Sequence, residues 1–230
     1  MPEHTSHNTN VRSTATIPKD FHMGKPVLVC RWRLYHQALP LLNRHMRALG
    51  SRRLGGVPLQ GALLQWTKQH IEWTLEDGSY DNPEGVLMIV VDDRGQAAMS
   101  VGPYKPLDDT GARELAIRAL KSRMEFEETR IAPETIWVVQ RDGTLLMGAE
   151  PDERPSGAAS LIEDLAKTLG MAVLRVHELA SQYLEGSIEA QEVFLVSDEY
   201  GVVPARDAAG VTAAKFRAGY AKLLKKTNRK

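Results

Sequence analysis

The chain has 230 residues, 43% hydrophobic and 25% charged, with lysine plus arginine equal to aspartate plus glutamate at 29 each. Such a composition supports a soluble globular core, in one large domain or two modest ones, and gives no global charge that would favour nucleic acid or a membrane surface. The single cysteine, Cys30, excludes an internal disulfide, and no apolar run reaches the ~18–20 residues of a membrane span.

Residues 1–25 are polar, rich in Thr, Ser, Asn and His, and without apolar period, so they read as a disordered leader. His4 and His7 lie in this tail, where a solvated role outweighs metal binding. No hydrophobic signal segment opens the chain, which places it in the cytoplasm. Pro26 to Trp32 reads as a strand, with Cys30 as a small buried residue in it. Leu34, Leu41, Leu42, Met46 and Leu49 return at helical spacing, and Pro40 marks a first turn, so a helix is expected over Pro40 to Leu49. A turn, Gly55 to Pro58, leads to a longer helix over Leu59 to Leu75.

Gly85 to Asp92 is an apolar run of strand length, and Asp93-Arg94-Gly95 turns it into a second strand, Ala97 to Val101. Gly102 to Gly111 holds two prolines and two aspartates and is the best domain boundary. It divides an N-terminal α/β domain, 26–103, from a C-terminal domain, 112–226, with a linker at 104–111 and a basic tail at 227–230.

The second half opens on a charged helix, Ala112 to Glu128. Thr135 to Val139 and Thr144 to Met147 form a hairpin around Asp142-Gly143. Ser160 and Glu163 have the spacing of a capping box, and Leu161, Ile162, Leu165 and Leu169 give that helix its apolar stripe up to Gly170. Met171 to Val176 is a strand and His177 to Leu184 a short helix. Val193 to Val196 follows as a continuous apolar run, a strand buried on both faces. The polar turn Ser197-Asp198-Glu199-Tyr200-Gly201 and a second strand, Val202 to Pro204, complete this unit. A basic helix, Ala213 to Lys226, closes the chain. Its Lys215, Arg217, Lys222, Lys225 and Lys226, with Arg229 and Lys230, read as dipole-compensating surface charges; nucleic-acid contact is the weaker alternative.

The succession from Trp137 to Leu145, Leu161 to Val173 and Ala190 to Gly210 resembles the C-terminal domain of the class IV, fold-type IV, pyridoxal-phosphate enzymes. That family includes branched-chain and D-amino-acid aminotransferases and aminodeoxychorismate lyase. Leu42 to Ser51 is similar to the family's His-x-x-Arg-Leu-x-x-Ser helix, and the likeness spans most of residues 27–210. It implies a two-domain α/β (α+β) protein with a barrel-like C-terminal domain, usually a homodimer. Pyridoxal phosphate would sit between the domains on a lysine, with an amino acid or aminochorismate substrate.

Carried onto this sequence, the lysine falls on Lys121, which is the only lysine between Lys105 and Lys167. The phosphate contacts fall on Ser156 and Gly157 at a helix start, on Ser197 after the central strand, and on Arg47. The chain departs from the family pattern at each point. The family arginine position is Ala48, and Arg47 lies one residue early, about 100° around a helix. The Gly-Ile-Thr-Arg start becomes Ser156-Gly157-Ala158-Ala159, the threonine becomes Asp198, and the glutamate before the Trp137 strand becomes Arg130 or is lost altogether. The resemblance therefore implies either an aminotransferase or lyase with altered ligands, or a catalytically silent homodimeric or partner-binding module of the same fold.

Overall fold

A computed structural model describes residues 22–77 and 81–226. The N-terminal part is a three-stranded antiparallel sheet with two helices. Strand β1 (Pro26–Arg33) leads to helix α1 (Leu42–Gly50), a small hairpin of β2 (Arg53–Leu54) and β3 (Val57–Pro58), and helix α2 (Gly61–Asp77). Strands β4 (Val86–Asp92) and β5 (Ala97–Gly102) complete the sheet in the order β1-β4-β5. Cys30 stands opposite Ile89 and Trp32 opposite Leu87, so their side chains share one face. With Leu28, Leu34, Leu49 and Ile71 they make one apolar core against the helices.

Helix α3 (Ala112–Thr129) follows, then β6 (Thr135–Val139), β7 (Leu145–Met147), helix α4 (Gly157–Thr168), β8 (Val173–Arg175) and helix α5 (Leu179–Leu184). Strands β9 (Glu192–Ser197) and β10 (Gly201–Pro204) precede helix α6 (Val211–Lys226). The five strands form one sheet in the order β10-β9-β6-β7-β8, antiparallel except for β7 with β8. Alternation along β6 and β9 explains their continuous apolar character. Trp137, Val139, Phe194 and Val196 face α4 and α6, whereas Ile136, Val138, Val193 and Leu195 face α3 and α5.

Several expected boundaries move for local reasons. Helix α1 starts at Leu42, not Pro40, because Leu41 adopts φ 61° and its carbonyl accepts from Arg44 N and His45 N. Helix α4 starts three residues before the expected capping box. Ser156 is the cap, its hydroxyl accepting from Ala159 N at 3.1 Å. Ser160 instead donates to the Gly157 carbonyl, and Glu163 pairs with Arg175 at 2.7 Å. The turn expected at Gly55–Pro58 is the β2–β3 hairpin, with Gly55 and Gly56 at positive φ. Of the expected leader, residues 1–21 lie outside the described residues. Gly24 N donates to Asp92 Oδ2 at 2.8 Å, so the chain is docked on the β4–β5 turn from that point. On α6, Phe216 and Tyr220 are buried while Lys215 and Arg217 are exposed.

The two sheets meet along a seam that involves β1, α1, α3, α4 and the β9–β10 turn. Arg33 N donates to Asp198 O at 3.0 Å. Arg44 donates to Ser160 Oγ at 3.1 Å and pairs with Asp164 at 2.8 Å, tying α1 to α4. The candidate site lies in this seam.

Candidate functional site

The turn after β9 brings a carboxylate to the start of α4. Asp198 is buried, and its Oδ1 accepts from Ala158 N, in the first turn of α4, at 2.7 Å. A helix N-terminus presents unpaired N–H groups and the positive end of the macrodipole, so an anion is stabilised there. Here the anion is a side chain of the protein itself. The second oxygen, Oδ2, lies 3.4 Å from His45 Nδ1 on α1, and both atoms are buried without another hydrogen-bond partner.

His45 is buried and closely packed. Trp32 of β1 stacks on its ring, centroids 5.0 Å apart at 18°. Gly157 also comes close to the ring: a Cβ there would stand 2.4 Å from His45 Nδ1 and 2.9 Å from Cε1. Only glycine fits at this point. Behind Asp198, the buried Arg52 donates to Val29 O at 3.1 Å and to Cys30 Sγ at 3.3 Å.

Burial by itself would raise the Asp198 carboxyl. The His45 ring, the Ala158 N–H and the Arg52 charge outweigh it and hold the group below its ordinary value of 3.8. The unfolded chain then takes up the proton before the folded one does, so this group stabilises the fold above pH 3.8 and ceases to as pH falls through the lower folded value. Urea midpoints measured against pH should decline in that acid window. Asp198→Asn should flatten this part of the curve, and an unchanged profile would show that the carboxylate is not held as described. The Cys30 thiol is raised by burial, against the opposing Arg52 charge, and stays protonated.

A second constellation lies on the other side of the same turn. Glu134 precedes β6 and receives a bidentate fork from Arg118 of α3, Nε to Oε2 at 2.6 Å and Nη2 to Oε1 at 2.9 Å. Ser197 Oγ donates to Glu134 Oε1 at 3.2 Å and accepts from Glu199 N and Tyr200 N. Arg118 also lies over the Tyr200 ring, 4.8 Å from its centroid. Burial and the Glu199 charge push the Tyr200 hydroxyl up to about 12. Arg33 stacks on Tyr104, with its Nη1 buried and unbonded.

Of the residues singled out from the sequence, Ser156 and Gly157 stand at the start of α4 beside Ala158, which donates to the β9–β10 turn, but in structural roles. Ser156 caps α4, Gly157 makes room for His45, and Ser197 is engaged with Glu134 and its own turn. Arg47 is exposed on α1, its Nε bonded to Asn43 O at 3.2 Å. Lys121 is exposed on α3 and lines none of three cavities that flank the seam and α3. The cavity bounded by Trp32, Arg52, Glu134, Ser197 and Asp198 measures about 10 Å³, room for roughly one water and far below the ~300 Å³ of a small-molecule site. At the helix start a cofactor phosphate would meet the Asp198 carboxylate, and the cavity beside that carboxylate has no space for a pyridine ring.

Asp198 stands out in the sequence only as an acid where the family has threonine. His45 falls on the histidine of the His-x-x-Arg-Leu pattern, which does not reveal its contact with Asp198; Trp32 and the Arg118–Glu134 pair carry no such signal, since each is defined by a partner distant in the chain. Among the described residues no helix is long and apolar enough to cross a membrane.

No family model matches the sequence, and no curated protein matches it. Solved structures do. A hypothetical aminotransferase from Mycobacterium tuberculosis in PLP-bound form superposes with a TM-score of 0.57 at 13% identity, covering 92% of this chain and 95% of that one. A Legionella pneumophila protein assigned as a 4-amino-4-deoxychorismate lyase gives 0.55 at 14% identity, covering 87% and 91%. A T.th. branched-chain amino acid aminotransferase complexed with N-(5'-phosphopyridoxyl)-L-glutamate gives 0.54 at 13%, covering 90% and 87%. Identities this low speak to architecture and not to activity: the chain has the fold of the class IV aminotransferases.

Proposed function

We propose that this chain keeps the class IV aminotransferase fold without its pyridoxal-phosphate chemistry and serves as a catalytically silent binding module. The observation that carries the reading is the Asp198 carboxylate on Ala158 N–H, at the helix start where a cofactor phosphate would have to bind, with His45 packed onto Gly157 beside it. A charged side chain already satisfies that N–H, and a phosphate would have to displace it against like-charge repulsion. A second point supports the reading. No lysine lines any of the three cavities, so none of these cavities offers an anchor for an aldehyde. The homodimer implied by the resemblance belongs to the same proposal, and light scattering would give twice the chain mass.

The test is an absorbance spectrum of the purified protein with excess pyridoxal phosphate, followed by borohydride reduction and peptide mapping. The expected result is the spectrum of free cofactor and no lysine peptide labelled in stoichiometric amount. A shifted band that borohydride fixes to one lysine, Lys121 above all, would overturn the proposal and restore an aminotransferase or lyase acting on an amino acid or aminochorismate.

A further inference from the structure

Beside the closed seam lies an open cleft of about 420 Å³, within the range of small-molecule sites. Four arginines line it: Arg52 and Arg53 from the α1–β2 segment, Arg130 at the end of α3, and Arg154 before α4. Two acidic residues share the lining, Asp152 and Glu153, and Glu153 is already paired with Arg123 at 2.7 Å. Two of the arginines, Arg53 and Arg154, have no carboxylate partner among the described residues, while the Arg52 charge also acts on Asp198. The Arg52 hydrogen bonds go to a carbonyl and a thiol, although it is buried. Arg53 bonds the Gly56 carbonyl, and Arg154 has no ion-pair partner among the described residues. Only Arg130 has a carboxylate, Glu127 at 3.2 Å, and that pair is partly exposed.

Arg130 is also held in the left-handed region, φ 51°, a conformation unfavourable for a long side chain. Its backbone N–H bonds Phe126 O at 2.9 Å, so the end of α3 fixes it on the cleft wall. Phe126 and Pro133 provide apolar surface between the charged groups.

From this arrangement we propose that the cleft binds a small polyanion non-covalently, an organic molecule with at least two negative charges. Guanidinium forks recognise phosphate and carboxylate oxygens with the same bidentate geometry, so the shared chemistry is the clustered oxyanion. The inference rests on the reading of the chain as a binding module and gives that module a ligand class. The two fail separately. A borohydride-labelled lysine would end the silent-module reading, and anion titrations decide this one.

The experiment is isothermal titration of the full chain with inorganic pyrophosphate and with citrate, at low ionic strength and again in added sodium chloride. One-site saturable binding is expected, weakened by salt and at least tenfold weaker in the R53A/R154A double variant. Both replaced residues are exposed, and matching urea midpoints would confirm an intact fold. R47A, which removes an arginine outside the cleft, should bind as the parent does. Tighter binding of pyrophosphate identifies a phosphate-bearing ligand and tighter binding of citrate a polycarboxylate. No saturable heat with either anion, or equal affinity in R53A/R154A, overturns the proposal.

Discussion

Replacing Asp198 by alanine should lower the free energy of unfolding by about 3–5 kcal/mol, the range seen when one partner of a buried charged pair is removed. Two losses combine. Ala158 N–H, buried at the start of α4, loses its acceptor at 2.7 Å, and buried His45 Nδ1 loses the carboxylate oxygen 3.4 Å away. Asp198→Asn should cost less, about 1–2 kcal/mol, because an amide oxygen still accepts from Ala158 while only the charge is lost. Urea unfolding at neutral pH gives both values. Equal effects of the two substitutions, or an alanine variant as stable as the parent, would mean that the carboxylate does not cap α4.

Gly157→Ala should be the second severe change, at about 2–3 kcal/mol from overpacking. The added methyl would stand 2.4 Å from His45 Nδ1, on a buried ring that also stacks on Trp32 and has little room to shift. The prediction is specific in its coupling. With His45→Ala already in place, the same glycine substitution should cost little, so the double-mutant cycle should show strong non-additivity. Additive effects would place the strain elsewhere. Gly157 lies one residue after the position of the family glycine, which is Ser156, and what it makes room for is the His45 imidazole.

The fold was legible where a single segment carried its own signal. The apolar run of β9 reads as doubly buried because both of its faces are covered by helices, and the Asp142-Gly143 hairpin appears with Gly143 at φ 85°. Boundaries failed where two local signals competed. Ser160 and Glu163 have capping-box spacing, yet Ser156 caps the helix because the β9–β10 turn supplies the second anchor at Ala158. Pro40 mimics a first helical turn, but Leu41 takes a left-handed conformation and delays α1.

The site was legible only as a set of departures from the family pattern. Asp198 stands in the sequence where the family pattern has threonine. It does not reveal that the acid caps the start of α4, because that depends on β9, α1 and α4 folding together around it. In the same way, Arg118 and Glu134 look like ordinary surface charges until α3 and β6 pack together.

Closure of the α4 start by Asp198 should be visible in the Ala158 amide resonance of a ¹⁵N-labelled sample, because that N–H donates to the carboxylate at 2.7 Å. The resonance should move strongly in Asp198→Ala and stay in place when pyridoxal phosphate is titrated into the parent protein. A saturable shift of Ala158 on adding pyridoxal phosphate, with no response to Asp198→Ala, would mean that the helix start is an open phosphate site and that Asp198 does not fill it.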